Sequence, residues 1–239
     1  VGPPFFNKLI LPFLIPFMVA MAVGPRLKWI KSKIEEKVNL ILFFIISLIL
    51  SILITRNLNV NFLYNTILIT SAFYLFFITI RDFFLKKYKN FSQTIAHFSF
   101  SVLILSILFN NIFSSEVITN LKINETYKTK NLKISFESIE QENEKNFKAL
   151  KGKFVVVDQS GTAEVMRPEL RIYNQPNIVT SEADIKTNIF NDKFMTMNYV
   201  QNQEYFNIRY QVKPFMIWIW ISVLMLCLSG SLSLINRKQ

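Results

Sequence analysis

Five uninterrupted apolar runs, each about 17 to 22 residues long, constrain this chain most, because such a run wound as a helix crosses a hydrocarbon layer of about 30 Å. They are Leu9–Gly24, Asn39–Thr55, Phe62–Ile80, Ser92–Phe113 and Phe215–Ile235. With 51% hydrophobic residues and a mean hydropathy of +0.30, the chain is too apolar for an ordinary soluble domain. Its polar residues are gathered instead into one long segment between the fourth and fifth runs. The pattern predicts a polytopic α-helical membrane protein with about five transmembrane helices and an inserted mainly-β extracytoplasmic domain. The expected division is 1–113, a four-helix membrane region; 114–213, the β domain; and 214–239, the C-terminal helix and tail.

The formal charge of +11 sorts by position. Basic residues crowd RLKWIKSKIEEK after the first run, Arg81, Lys86, Lys87 and Lys89 after the third, and Arg237 and Lys238 at the end. These lie on alternate sides of the runs, so the positive-inside bias puts both loops and the tail on one face of the membrane and the polar segment on the other. That segment, Ser114–Lys213, holds 14 basic and 13 acidic residues and carries no basic patch, which argues against a nucleic-acid partner. Cys227, the only cysteine, excludes an intrachain disulfide and a CxxCH haem-attachment motif. There is no paired-carboxylate site, zinc spacing, phosphate loop or nucleophile elbow. The chain starts at Val1, and VGPPFFN has no basic region like that of a signal peptide, so it reads as the C-terminal part of something longer.

Within the polar segment, KISFES (Lys133–Ser138) alternates at period two. Lys153–Val157 runs into the turn signal DQSG, and Glu164–Tyr173, Lys193–Val200 and Tyr205–Val212 are strand-like. The expectation is about six short strands, a short helical piece around Ser181–Lys186, and a solvated loop at Gln141–Asn146. Met195 and Met197 share one strand face and suit a core. Arg167, Glu169, Arg171, Glu182 and Asp184 suit an ion-pair network or a docking surface. Asn124-Glu125-Thr126 matches a glycosylation pattern of little specificity.

His97, the only histidine, is also the one ionisable group read as lying inside a span. Desolvating an imidazole calls for a partner, a proton path or a metal. On a helix it shares a face with Gln93, Thr94 and Ser101. Two roles fit that stripe: a hydrogen-bonded contact between helices, and a ligand oriented by its polar neighbours. One histidine cannot close a bis-histidine site, so a second ligand would come from elsewhere.

Four segments, in order, resemble the C-terminal third of CcmF-type cytochrome c biogenesis proteins. They are VGPPFFN with a proline-containing span ending VGPRLKW; TIAHFSFSV; MRPELRIYNQPNIVTSEADI; and KPFMIWIWISVLMLCLSGSLSLINRK. The resemblance implies a component of the cytochrome c haem lyase, which assists covalent attachment of haem to apocytochrome c. It implies that His97 is a cofactor-binding, metal-ligating residue, one axial ligand of a structural b-type haem whose second ligand lies outside this chain. The implied partners are a CcmE-like haem chaperone, CcmH/CcmI-like subunits, apocytochrome c and the upstream portion of the same protein. The implied location is the bacterial cytoplasmic or mitochondrial inner membrane, with the β domain on the outer side. Enzymatic activity would require that upstream portion and the partners. The family's tryptophan-rich WWD motif does not occur here. The alternative is a non-catalytic assembly or anchoring module whose β domain binds a partner while His97 only packs.

Overall fold

The computed structural model describes residues 3–26, 34–56, 62–85, 91–158, 161–200 and 203–236; the side chains at 3–8, 11 and 34–36 are outside that description. Trp29 and most of the first basic loop, Lys86–Lys89, Gln159, Ser160, Arg237 and Lys238 fall outside the described residues. The described residues form five α-helices: α1 (Pro3–Val23), followed by a 3-10 turn Gly24–Arg26, α2 (Ile34–Thr55), α3 (Phe62–Leu85), α4 (Phe91–Phe113) and α5 (Met216–Asn236). Four of them, α2 to α5, are long and apolar enough to cross a membrane, and the apolar stretch Pro12–Arg26 is shorter. Two compact units result: one of the helices and one spanning Asn110–Ile217, inserted in the chain between α4 and α5.

In the helical unit α3 is the central element. Its Leu68, Ala72, Tyr74, Leu75 and Ile78 form a core with Met18 and Ala22 of α1 and Leu105 of α4. The second run carries a buried polar stripe. Ser47, Ser51 and Thr55, spaced four apart on α2, each donate to the carbonyl one turn back, and the Thr55 and Thr66 hydroxyls meet at 2.7 Å. Small hydroxyl side chains satisfied by their own helix let two backbones approach in a medium without water. The opposite face, with Ile41, Ile45 and Ile49 about half exposed, is left for lipid.

The second unit is an antiparallel β-sandwich with ten strands among the described residues, more than the six expected. One sheet has the order β1 (Ser115–Leu121), β10 (Phe206–Pro214), β9 (Asn191–Tyr199), β8 (Asp184–Thr187). The other runs β2 (Thr126–Lys128), β3 (Leu132–Asn143), β4 (Phe147–Asp158), β6 (Glu169–Tyr173), β7 (Val179–Glu182), with β5 (Ala163–Met166) also on β4. The helical piece anticipated at Ser181–Lys186 is instead the end of β7 and most of β8. Each pairs with a strand in a different sheet, β7 with β6 and β8 with β9. Those ladder bonds outweigh local propensity. The loop expected at Gln141–Asn146 is shorter than predicted, since β3 continues to Asn143.

Between the sheets lies a dry core that includes Phe136, Phe154, Met166, Met195, Met197, Ile208 and Tyr210. Phe136 and Phe154 face each other across the β3–β4 ladder and stack at 4.3 Å between centroids. Gly152 sits where the partner of β4 changes from β6 to β5. Its amide donates to the Pro168 carbonyl at 3.0 Å, and a Cβ there would stand 2.5 Å from the Phe154 ring and 2.9 Å from the Met197 sulfur. Because that ring is already pinned by Phe136, Gly152→Ala is expected to lower sandwich stability by about 1–3 kcal/mol, read as a reduced urea midpoint.

Candidate functional site

Three ring pairs set α4 against α3: Phe83 with Phe91 at 6.1 Å, Phe76 with Phe98 at 5.6 Å and Phe73 with Phe109 at 5.9 Å. Numbers fall along α3 as they rise along α4, so the two helices are antiparallel. Phe17 of α1 meets Phe100 edge-on at 5.9 Å. On a 3.6-residue helix His97 therefore projects between the side of α4 that touches α3 and the side that touches α1. It is half-buried, six residues into α4, or about 9 Å along the axis from the first residue of the helix.

Among the described residues His97 makes no hydrogen bond or ion pair. The polar stripe expected around it is only partly turned toward it. Ser101 is buried and donates to the Phe98 carbonyl at 2.7 Å, Ser99 donates to the Ile95 carbonyl, and Gln93 is exposed. Ser92 reaches away, donating to the Ser229 carbonyl of α5 at 3.0 Å. Ser92 and Ser229 thus join α4 to α5. No group of three or more metal-binding side chains occurs among the described residues, so His97 stands as a single donor on an otherwise apolar wall.

A feature that sequence reasoning missed lies close by. The third run was ended at Ile80, with Arg81 assigned to a basic loop, but α3 continues to Leu85 and carries Asp82 inside the packed unit at 8% exposure. Arg26, at 6% exposure, donates to the Asp82 carboxylate, to the Ala22 carbonyl and, at 3.3 Å, to the Ile78 carbonyl. One guanidinium thereby ties the end of α1 to the last turns of α3. Ile78 and Asp82 lie four residues apart, on a different face of α3 from Phe76 and Phe83, which meet α4. His97 is not the only ionisable group within the spans. The acidic residue directly after Arg81 was the signal available.

Of the sandwich charges read as an ion-pair network or a docking surface, Glu169 and Arg171 pair with each other, and the rest have other partners. Glu142 and Glu169 both pair with Lys151, at 2.5 and 3.5 Å, and Arg171 pairs with Glu169 at 3.0 Å while lying 5.1 Å from the Phe147 ring centre. Arg167 and Asp184 are joined through the Arg167 amide at 2.6 Å, and Glu182 accepts from Thr180. A second cluster was not foreseen. Lys193 points inward with Met195 and Met197 and bridges the sheets, 2.7 Å from Glu164 and 3.4 Å from Asp158. Burial works against its ammonium. The Glu164 hydrogen bond and the charges of Tyr210, Glu164 and Asp158 outweigh that and raise its pKa, while burial lifts the Tyr210 phenol. Met195 and Met197 are fully buried in the core.

Residues 112–214 match the family described as CcmF C-terminal beta-sandwich. The whole chain aligns with cytochrome c-type biogenesis protein CcmF of Escherichia coli at 24% identity over 247 residues and with that of Pseudomonas fluorescens at 25% over 253. In each case it covers 38% of the relative, so the chain spans well under half the length of the proteins it matches. A solved structure named cytochrome c heme lyase CcmF has the same fold, with a TM-score of 0.72 at 18% identity over 95% of this chain and 40% of that one. Helices, inserted sandwich and matched sequence agree: along its whole length this chain is similar to CcmF-type cytochrome c biogenesis proteins, and its residues 112–214 match the CcmF C-terminal β-sandwich family.

Proposed function

We propose that this chain is part of the inner-membrane machinery of cytochrome c maturation, as a component of the haem lyase that joins haem to apocytochrome c. The observation that carries the reading is the alignment along the whole chain with CcmF proteins, which includes α4 and its histidine. In this reading the sandwich faces the outer side of the membrane and meets a haem chaperone, companion subunits or apocytochrome c. The upstream portion of the protein supplies the rest of the site.

His97 fits one axial position of a b-type haem. It offers one half-buried imidazole with no hydrogen bond among the described residues, beside apolar and aromatic side chains that suit a flat, largely apolar macrocycle. It does not suit an ion held by several side chains of this chain, since those are not assembled here. When bound, such a haem supplies one-electron chemistry. Phe98 and Phe100, packed on α3 and α1, hold the helix that orients the imidazole. A single intramembrane histidine completed by a second chain also explains why the donor stands alone.

The test is maturation in cells that express the upstream portion with and without this chain, reading covalently bound haem on a c-type cytochrome by peroxidase stain. Haem attachment is expected only when both are present. Equal attachment without this chain sinks the proposal.

A further inference from the structure

The end of the four-stranded sheet from which the chain leaves for the helices also carries an exposed apolar turn. At this end Ser115 pairs with Val212, Asn191 with Pro214 and Thr187 with Asp192, so the start of β1, the end of β10 and the β8–β9 turn lie side by side. Asn110 in the last turn of α4 donates to the Pro214 carbonyl at 2.7 Å, and the amide of Phe215 donates to the Phe190 carbonyl at 2.8 Å. Phe215 immediately precedes α5, a helix long and apolar enough to span. The turn is thus hydrogen-bonded to the residue at which the chain enters the bilayer.

At its tip are Ile189 and Phe190, 60% and 67% exposed. The turn is rigid. The Asn188 side-chain oxygen accepts from the amides of Phe190 and Asn191, both at 2.8 Å, its side-chain nitrogen donates to the Asn191 side chain, and its amide bonds the Asn191 carbonyl at 3.0 Å. Such an Asn-built turn holds two large apolar side chains outward rather than letting them fold onto the sheet. Lys186, half exposed one register pair back from the turn, lies 3.9 Å from the Asp184 carboxylate.

We propose that the Asn188–Asn191 turn is a membrane anchor that sinks Ile189 and Phe190 into the headgroup and upper acyl region of the phospholipid bilayer beside the start of α5. Apolar tips fixed at the level of a helix entrance are buried by lipid without any further ordering of the chain. The anchor ties the sandwich to the membrane at a point besides its two covalent connections, and so limits its swing. This inference does not depend on haem binding.

The experiment uses the complete protein, with its upstream portion, in phosphatidylethanolamine–phosphatidylglycerol nanodiscs and with native cysteines replaced. A nitroxide is attached at Phe190→Cys, and in a second variant at Ile189→Cys. Collision with oxygen and with a water-soluble nickel chelate is compared with a label at Glu144→Cys, on the exposed β3–β4 turn. A several-fold higher oxygen-to-nickel ratio at the turn than at 144 is expected. A label as open to nickel as that at 144 puts the turn in water, and a label closed to both reagents puts it under protein; either outcome overturns the anchor.

Discussion

Replacing His97 with alanine is expected to abolish the b-type signal in the reduced-minus-oxidised spectrum of this chain purified with its upstream portion. Imidazole added during preparation should restore part of it. The expectation rests on geometry that is unusual for a merely packed histidine. The ring is half-buried yet hydrogen-bonded to nothing among the described residues, so its removal breaks no polar network inside this chain. The stability cost should therefore stay within about 1 kcal/mol, the ordinary range for a single substitution, while the spectrum changes completely. That split separates ligand from packing residue. A retained signal in His97→Ala, or a signal lost only in step with unfolding, would show that the ring packs and does not ligate.

The second large effect concerns Asp82. Its replacement by alanine leaves the Arg26 guanidinium at 6% exposure without its counter-charge, and breaking a buried pair from one side costs about 3–5 kcal/mol. Thermal unfolding of the helical unit in detergent should fall by many degrees. Removing both charges, in Arg26→Met with Asp82→Leu, should recover most of the loss, because two charges removed together leave nothing to desolvate. If the double variant is no more stable than Asp82→Ala, the penalty comes from lost packing and the ion-pair argument falls.

Much of the organisation was readable from the chain alone, for a physical reason. A segment in hydrocarbon must satisfy its backbone internally, so a long apolar run has one outcome, and the runs at Phe62, Ser92 and Phe215 begin within a residue of α3, α4 and α5. Alternation served KISFES and the stretches at Lys193 and Tyr205 equally well, since each has one face on a core. The strand at Ser115–Leu121 escaped notice because its partner, β10, lies some ninety residues away and nothing local announces it. Ser181–Lys186 was misread for the same reason.

His97 stood out as a lone polar group in an apolar span, and its family setting came from ordered motifs along the whole chain. By itself the sequence determined which segments are helices, where the β domain is inserted and which residue is the outstanding donor, because hydrophobic run length and alternation are properties of neighbours in the chain. Only the tertiary structure decided that α3 is the most buried of the four spanning helices, that Arg26 and Asp82 are a buried pair, that Lys193 turns inward between the sheets, and that Ile189 and Phe190 stand out where α5 begins. Each of these depends on a partner far away in sequence, and the free energy of burying a charge or exposing a ring is set by what folding brings beside it.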